Sequence, residues 1–129
     1  MPIELRMLGW SICLGLIYVF TAAFLATHQR GLKWNAGNRD GESAPLTGAA
    51  ARAQRANSNF LETFPFFVAA VLGVCFAKIT SPHTALGAEI YFWARVLYLP
   101  IYIIGIPYLR TLVWAASFWG LLQLLEAWF

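Results

Sequence analysis

The stretch Arg52-Ala-Gln-Arg55-Ala-Asn57-Ser-Asn59-Phe-Leu-Glu62-Thr-Phe-Pro65 places two cations, several amides and a carboxylate at the mouth of an otherwise apolar segment. Few folds tolerate that combination. A charged side chain at the middle of a membrane helix costs about 2.5–3.5 kcal/mol on insertion scales, so the default reading of such a group is a paired or functional one. In a helix, Arg52, Arg55, Asn59 and Glu62 fall at i, i+3, i+7 and i+10 and share one stripe. The stripe can grip a small, charged, flexible molecule, or it can lock helices together. The residues alone leave both readings open.

The surroundings of the stripe are those of a membrane protein. Of the 129 residues, 60% are hydrophobic and only 12% charged, against about 25% charged in a soluble domain; mean hydropathy is +0.62. At roughly 20 residues per crossing, spans are expected at about 5–28, 48–78, 84–106 and 110–128, within a single domain covering 1–129. The fold class predicted is an all-α integral membrane protein, a bundle of four transmembrane helices in up-down topology. The first apolar run is too long for a signal peptide and lacks a small-residue cleavage site before the basic segment that follows. That segment, residues 28–45, is broken by Gly31, Gly37, Gly41 and Pro45 and reads as a loop. Thr47 is an expected N-cap and Pro65 an expected kink. Ser81-Pro82-His83 reads as a tight turn, and the run from Gly105 to Arg110 as a hairpin. Trp10, Trp114, Trp119, Trp128 and Phe129 are assigned to the membrane interface or to lipid-facing bulk.

Charge is distributed unevenly. One side would carry Arg30, Lys33, Arg39, Arg52, Arg55 and Arg110, the other only Arg6 and Lys78. By the positive-inside rule the termini are then non-cytoplasmic and the stripe stands at the cytoplasmic face of the inner (plasma) membrane. The sequence pI of about 9.1 therefore reflects topology, and nucleic acid is not an expected partner. Cys13 and Cys75 lie in apolar runs without CxxC spacing, and His28 and His83 stand apart, so no metal site is expected.

Three groups converge on the basic face. Beside the stripe stand Arg95, Tyr98 and Tyr102, co-facial at i, i+3 and i+7, and Arg110 at the start of the last helix. Arg95 lies inside a span and needs a partner. Glu62 is the expected one, either as a direct ion pair or through a bound ligand.

The combined pattern resembles the MAPEG family, the membrane-associated proteins in eicosanoid and glutathione metabolism. The resemblance rests on Pro45-Leu-Thr-Gly, on Arg52-x-x-Arg55-Ala-x-x-Asn59-x-x-Glu62-x-Phe-Pro65, on Ala94-Arg95-x-x-Tyr98-x-x-x-Tyr102 and on an arginine after the hairpin, and it spans nearly the whole chain. The chain looks like a short, bacterial-type member. The resemblance implies a homotrimer that binds glutathione, as co-substrate, near the cytoplasmic end between neighbouring protomers. It implies a site lined by Arg30, Arg52, Arg55, Asn59, Glu62, Arg95, Tyr98 and Tyr102, with Arg110 in the catalytic role of stabilising the thiolate. Glutathione carries two carboxylates and an ammonium, which arginines and one glutamate complement. Thr63 stands where eicosanoid-synthesising members can carry a tyrosine, and Asn57 where they carry glutamine or histidine, which bears on the lipid substrate. The expected function is a glutathione-dependent transferase or peroxidase that acts on a hydrophobic, lipid-soluble electrophile among membrane lipids. The alternative is a non-catalytic scaffold or accessory subunit of a larger membrane complex. Whether the chain is an enzyme stays open at this level.

Overall fold

The computed structural model describes residues 1–41 and 44–129. Five helices form: α1 (Ile3–Arg30), α2 (Leu32–Ala36), α3 (Gly48–Phe76), α4 (Pro82–Ile104) and α5 (Pro107–Glu126). This corrects the expected bundle of four transmembrane helices. Among the described residues only α1 and α3 are long and apolar enough to cross a membrane. The physical reason lies in what interrupts the other two. α4 carries Glu89, Arg95, Tyr91, Tyr98, Tyr102 and Pro100, and α5 carries Arg110, Gln123 and Glu126. Both pack against the crossing pair, α4 against α1 and α3, and α5 against α4 and α3. The segment expected as a plain loop contains α2, one short helix set between Gly31 and Gly37; Glu42 and Ser43 of that loop lie outside the described residues.

Helix ends are fixed by local chemistry. Ser81-Pro82-His83 is the start of α4 rather than a free turn: the Thr84 N–H donates to Ser81 Oγ at 3.2 Å, the Ser81 N–H donates to Thr84 Oγ1 at 2.7 Å, and Pro82 takes the first helical position. α4 closes at Gly105, whose left-handed φ of 93° favours glycine, and Pro107 opens α5. Thr47 precedes α3, but its hydroxyl makes no cap bond. Instead Gln29 Nε2 donates to Thr47 Oγ1 at 3.0 Å and the Thr47 N–H donates to Gln29 Oε1 at 2.9 Å, tying the end of α1 to the start of α3. α3 runs unbroken through Pro65, and α4 through Pro100.

The closest helix pair is α4 with α5. A Cβ on Gly87 would lie 2.6 Å from the Gly120 carbonyl oxygen, and one on Gly120 2.5 Å from the Gly87 carbonyl oxygen. Small residues at a crossing let membrane helices pack backbone to backbone, where apolar burial contributes little. The interior is aromatic: Tyr18, Phe60, Phe67 and Tyr91 are buried, with Phe67 and Tyr91 stacked at 3.9 Å. Outward, α1 exposes Trp10, Leu16, Ile17, Phe20 and Phe24, the all-round apolar surface of a helix in lipid. The ends differ. Arg6 and Lys78 belong to the end where Thr84 Oγ1 donates to the buried Glu4 carboxylate and His83 meets Glu126 at 3.3 Å. The remaining cations, Arg95 apart, gather at the opposite end, where the functional candidates lie.

Candidate functional site

A cavity of about 650 Å³ opens at the basic end, lined by α3, α4 and α5. α3 supplies Ala51, Gln54, Arg55, Ser58, Asn59 and Glu62, at i, i+3, i+4, i+7, i+8 and i+11, which is a full helical face. α4 supplies Tyr98 and Tyr102; α5 supplies Arg110, Thr111 and Trp114. The volume is that of a small-molecule site. Arg55 Nε donates to Tyr102 Oη at 3.2 Å, and the guanidinium carbons of Arg55 and Arg110 lie 5.9 and 4.7 Å from the Tyr102 ring centre. Tyr98 and Tyr102 meet edge to face at 5.5 Å. Two guanidiniums and one carboxylate, Glu62, thus line the same polar space.

Arg95 lies outside this cavity. Its side chain is 0% exposed. Nη1 donates to Asn59 Oδ1 at 2.8 Å and Nη2 to Thr63 Oγ1 at 2.7 Å. The guanidinium sits 4.9 Å from the Tyr98 ring centre and within 6 Å of Phe60 and Tyr91. The direct Glu62–Arg95 ion pair does not form: among the described residues the sole ion pair is His83–Glu126. The reason is helical phase. Asn59 and Thr63, one turn apart, point toward α4, whereas Glu62 turns to the exposed cavity face of α3. Neutral dipoles and aromatic faces, rather than a counter-charge, surround the buried cation.

Arg52 has a local partner of its own. Its Nε donates to the Ile103 carbonyl at 2.8 Å, satisfying an otherwise orphaned group at the C-terminus of α4, where a cation also suits the helix dipole. With Arg55, Tyr102 and Arg110 it lines a side cavity of about 100 Å³. Arg30 stands apart, its Nε donating to the Ala44 carbonyl at 3.1 Å and its guanidinium 5.2 Å from the Trp34 ring centre. Of the sequence-predicted residues, Arg55, Asn59, Glu62, Tyr98, Tyr102 and Arg110 therefore share the cavity, and Arg30, Arg52 and Arg95 do not reach it within one chain. Sequence reasoning missed Gln54, Ser58, Thr111 and Trp114. Ser58 was legible as a polar residue one helical turn from both Arg55 and Glu62 on α3, and Gln54 as one turn before Ser58.

An apolar groove of about 480 Å³ lies between α3 and α5. Thr63, Phe66 and Ala70 of α3 face Phe118, Leu121 and Leu125 of α5 across it. Trp114, at the cavity, stacks on Phe118, at the groove, with ring centres 5.4 Å apart. Glu62 and Thr63 are sequence neighbours across the same divide. Polar cavity and apolar groove thus abut along one seam.

No curated protein and no solved structure matches the chain. The sequence model of the MAPEG family matches residues 7–127. That match, nearly end to end, accords with apolar crossing helices that carry arginines and a glutamate at one end, and the chain belongs to the MAPEG family, membrane-associated proteins in eicosanoid and glutathione metabolism.

Proposed function

We propose that the protein is a glutathione-dependent transferase or peroxidase acting on a hydrophobic electrophile that arrives through the membrane. The observation that carries this reading is the charge pattern of the cavity, which Arg55 and Glu62 of α3 and Arg110 of α5 line together. Two guanidiniums suit the two carboxylates of the tripeptide, or one carboxylate and the sulfur, while Glu62 suits its ammonium. Asn59, Gln54 and Ser58 add neutral donors and acceptors for the peptide groups.

Glutathione supplies the nucleophilic sulfur. Arg110 is the residue assigned to it, because a cation near a thiol favours the thiolate, and the thiolate is the nucleophile. The thiol proton leaves to water. The sulfur lone pair then forms a bond to the electrophilic carbon as that carbon's bond to its leaving group breaks, the electron pair departing with the leaving group. The abutting apolar groove between α3 and α5 suits the lipid-soluble partner.

In this reading the chain works as a homotrimer. Gln54, Arg55, Ser58 and Glu62 are exposed on the cavity flank, and a neighbouring copy would cover them. The basic end faces the cytoplasm and the termini the opposite side, a reading supported by the cation asymmetry. A reporter fused to the C-terminus should be active only outside the cytoplasm.

The deciding experiment follows the ultraviolet thiolate band of glutathione on the purified protein. A band that grows on titration at pH 7.5 and saturates at a stoichiometric ratio is expected. Absence of binding, or binding with the thiol fully protonated, overturns the enzyme reading in favour of a membrane scaffold or accessory subunit.

A further inference from the structure

We propose that the end of α1 together with α2 forms a binding site for the phosphate of an anionic lipid headgroup, separate from the tripeptide cavity. A second cavity, of about 560 Å³, lies there. Among the described residues it is lined by Arg30, Lys33, Arg39 and Asp40, with Trp34 beside them. The guanidiniums of Arg30 and Arg39 lie 5.2 and 5.9 Å from the Trp34 ring centre. The chain holds Arg39 at a left-handed φ of 59°, an uncommon backbone for a residue with a side chain. Such conformations persist where the surroundings over-determine them, often at ligand clamps. The indole N–H of Trp34 is enclosed and has no acceptor among the described residues. An anionic oxygen would satisfy it.

Depth selects the lipid. The 28 residues of α1 rise about 42 Å at 1.5 Å per residue, close to the roughly 40–45 Å of a bilayer including its headgroups. Arg30, the last residue of α1, therefore stands at headgroup height, and the cluster that follows it does too. Exposed Leu32, on α2, offers an apolar contact beside the basic groups. Basic residues just beyond a crossing helix, with tryptophan at the interface, suit an anionic headgroup.

The test uses the full chain, purified in a neutral detergent and titrated with phosphatidylglycerol or phosphatidylcholine, with bound lipid counted by native mass spectrometry. One phosphatidylglycerol per chain should be held well above phosphatidylcholine. Lys33→Gln with Arg39→Gln should weaken it on the order of tenfold or more, and salt should weaken it further. Arg6→Gln with Lys78→Gln, at the other end, should leave it unchanged. Trp34→Phe, which keeps a ring and removes the donor, should weaken it severalfold. The first pair is exposed, so its melting temperature should match wild type; should it fall, Lys33→Gln alone decides. Equal loss in the two double variants, equal binding of phosphatidylcholine, or displacement of lipid by millimolar inorganic phosphate would each overturn the proposal, the last by assigning the site to free phosphate. None of these readouts depends on glutathione.

Discussion

Arg95 and Arg110 sit on neighbouring helices, and each lies over the face of a tyrosine, at 4.9 and 4.7 Å. Their surroundings differ in everything else. Arg95 is sealed from solvent and bonded to two side chains of α3. Arg110 lines an open cavity, and among the described residues its guanidinium rests over the Tyr102 ring with no hydrogen-bond acceptor from the protein. Composition does not separate the two residues. What separates them is whether the neighbouring helix offers its guanidinium acceptors or leaves it facing a cavity. One arginine completes the fold, and the other is left for a ligand.

The largest expected effect falls on the sealed residue. Arg95→Met removes the donors to Asn59 Oδ1 and Thr63 Oγ1, both on the half-buried side of α3. Losing a hydrogen bond from a charged group costs about 1.5–3 kcal/mol. The melting temperature in detergent, followed by helical circular dichroism, should fall steeply. An Arg95→Met protein that melts like wild type would erase the distinction between the two arginines.

The open residue should behave in the opposite way. Arg110→Leu should leave the melting temperature unchanged and glutathione binding largely intact. A free cysteine thiol titrates near 8.5, and an adjacent cation can bring such a group to about 7 or below. Without Arg110 the thiolate band at neutral pH should shrink, and turnover should fall about a hundredfold while affinity changes little. That split marks an interaction made mainly with the reacting state. A parallel loss of fold would place Arg110 in the same structural class as Arg95.

Much of this contrast is legible in the sequence, and the parts that are not have identifiable physical causes. Helical spacing puts Arg55, Asn59 and Glu62 on one face of α3 and Tyr98 and Tyr102 on one face of α4, while Arg110 and the grouping of all six into one site come from the resemblance to the family. The phase between helices does not follow from spacing. Depth matching suggests Glu62 for Arg95, but a rotation by one residue gives the guanidinium to Asn59 and Thr63 instead. Arg52 reads as part of the stripe, yet the carbonyl freed at the end of α4 claims it. The count of crossing helices fails for another reason: runs that read as spans by length lose apolarity to Glu89, Arg95 and the tyrosines of α4 and to Arg110, Gln123 and Glu126 of α5.

Arg55 lies between the two extremes. It donates to the Tyr102 hydroxyl at 3.2 Å and also lines the cavity on an exposed face of α3. Arg55→Ala should fold, since water can solvate the side it leaves. Loss of one charge-assisted contact to a carboxylate should cost about 1.5–3 kcal/mol, or roughly ten- to a hundredfold in glutathione affinity by calorimetry. Unchanged affinity would return Arg55 to a topological or headgroup role.

Glu62 gives the smallest effect and the finest test. As a lock for Arg95 its removal would unfold the protein, whereas on the exposed face of the cavity it has no such burden. Glu62→Gln preserves shape and removes only the charge. Solvent screens an exposed carboxylate, and pairs of this kind contribute about 0.2–1 kcal/mol. The expected result is an unchanged melting temperature with glutathione affinity reduced up to roughly fivefold. A glutathione analogue lacking the amino group should bind the variant and the wild type equally, because the ammonium is the group that Glu62 is assigned to recognise. If the analogue still distinguishes them, Glu62 acts on some other part of the ligand; if the variant melts early, the carboxylate belongs to the fold, and the line drawn between Arg95 and Arg110 passes on the wrong side of it.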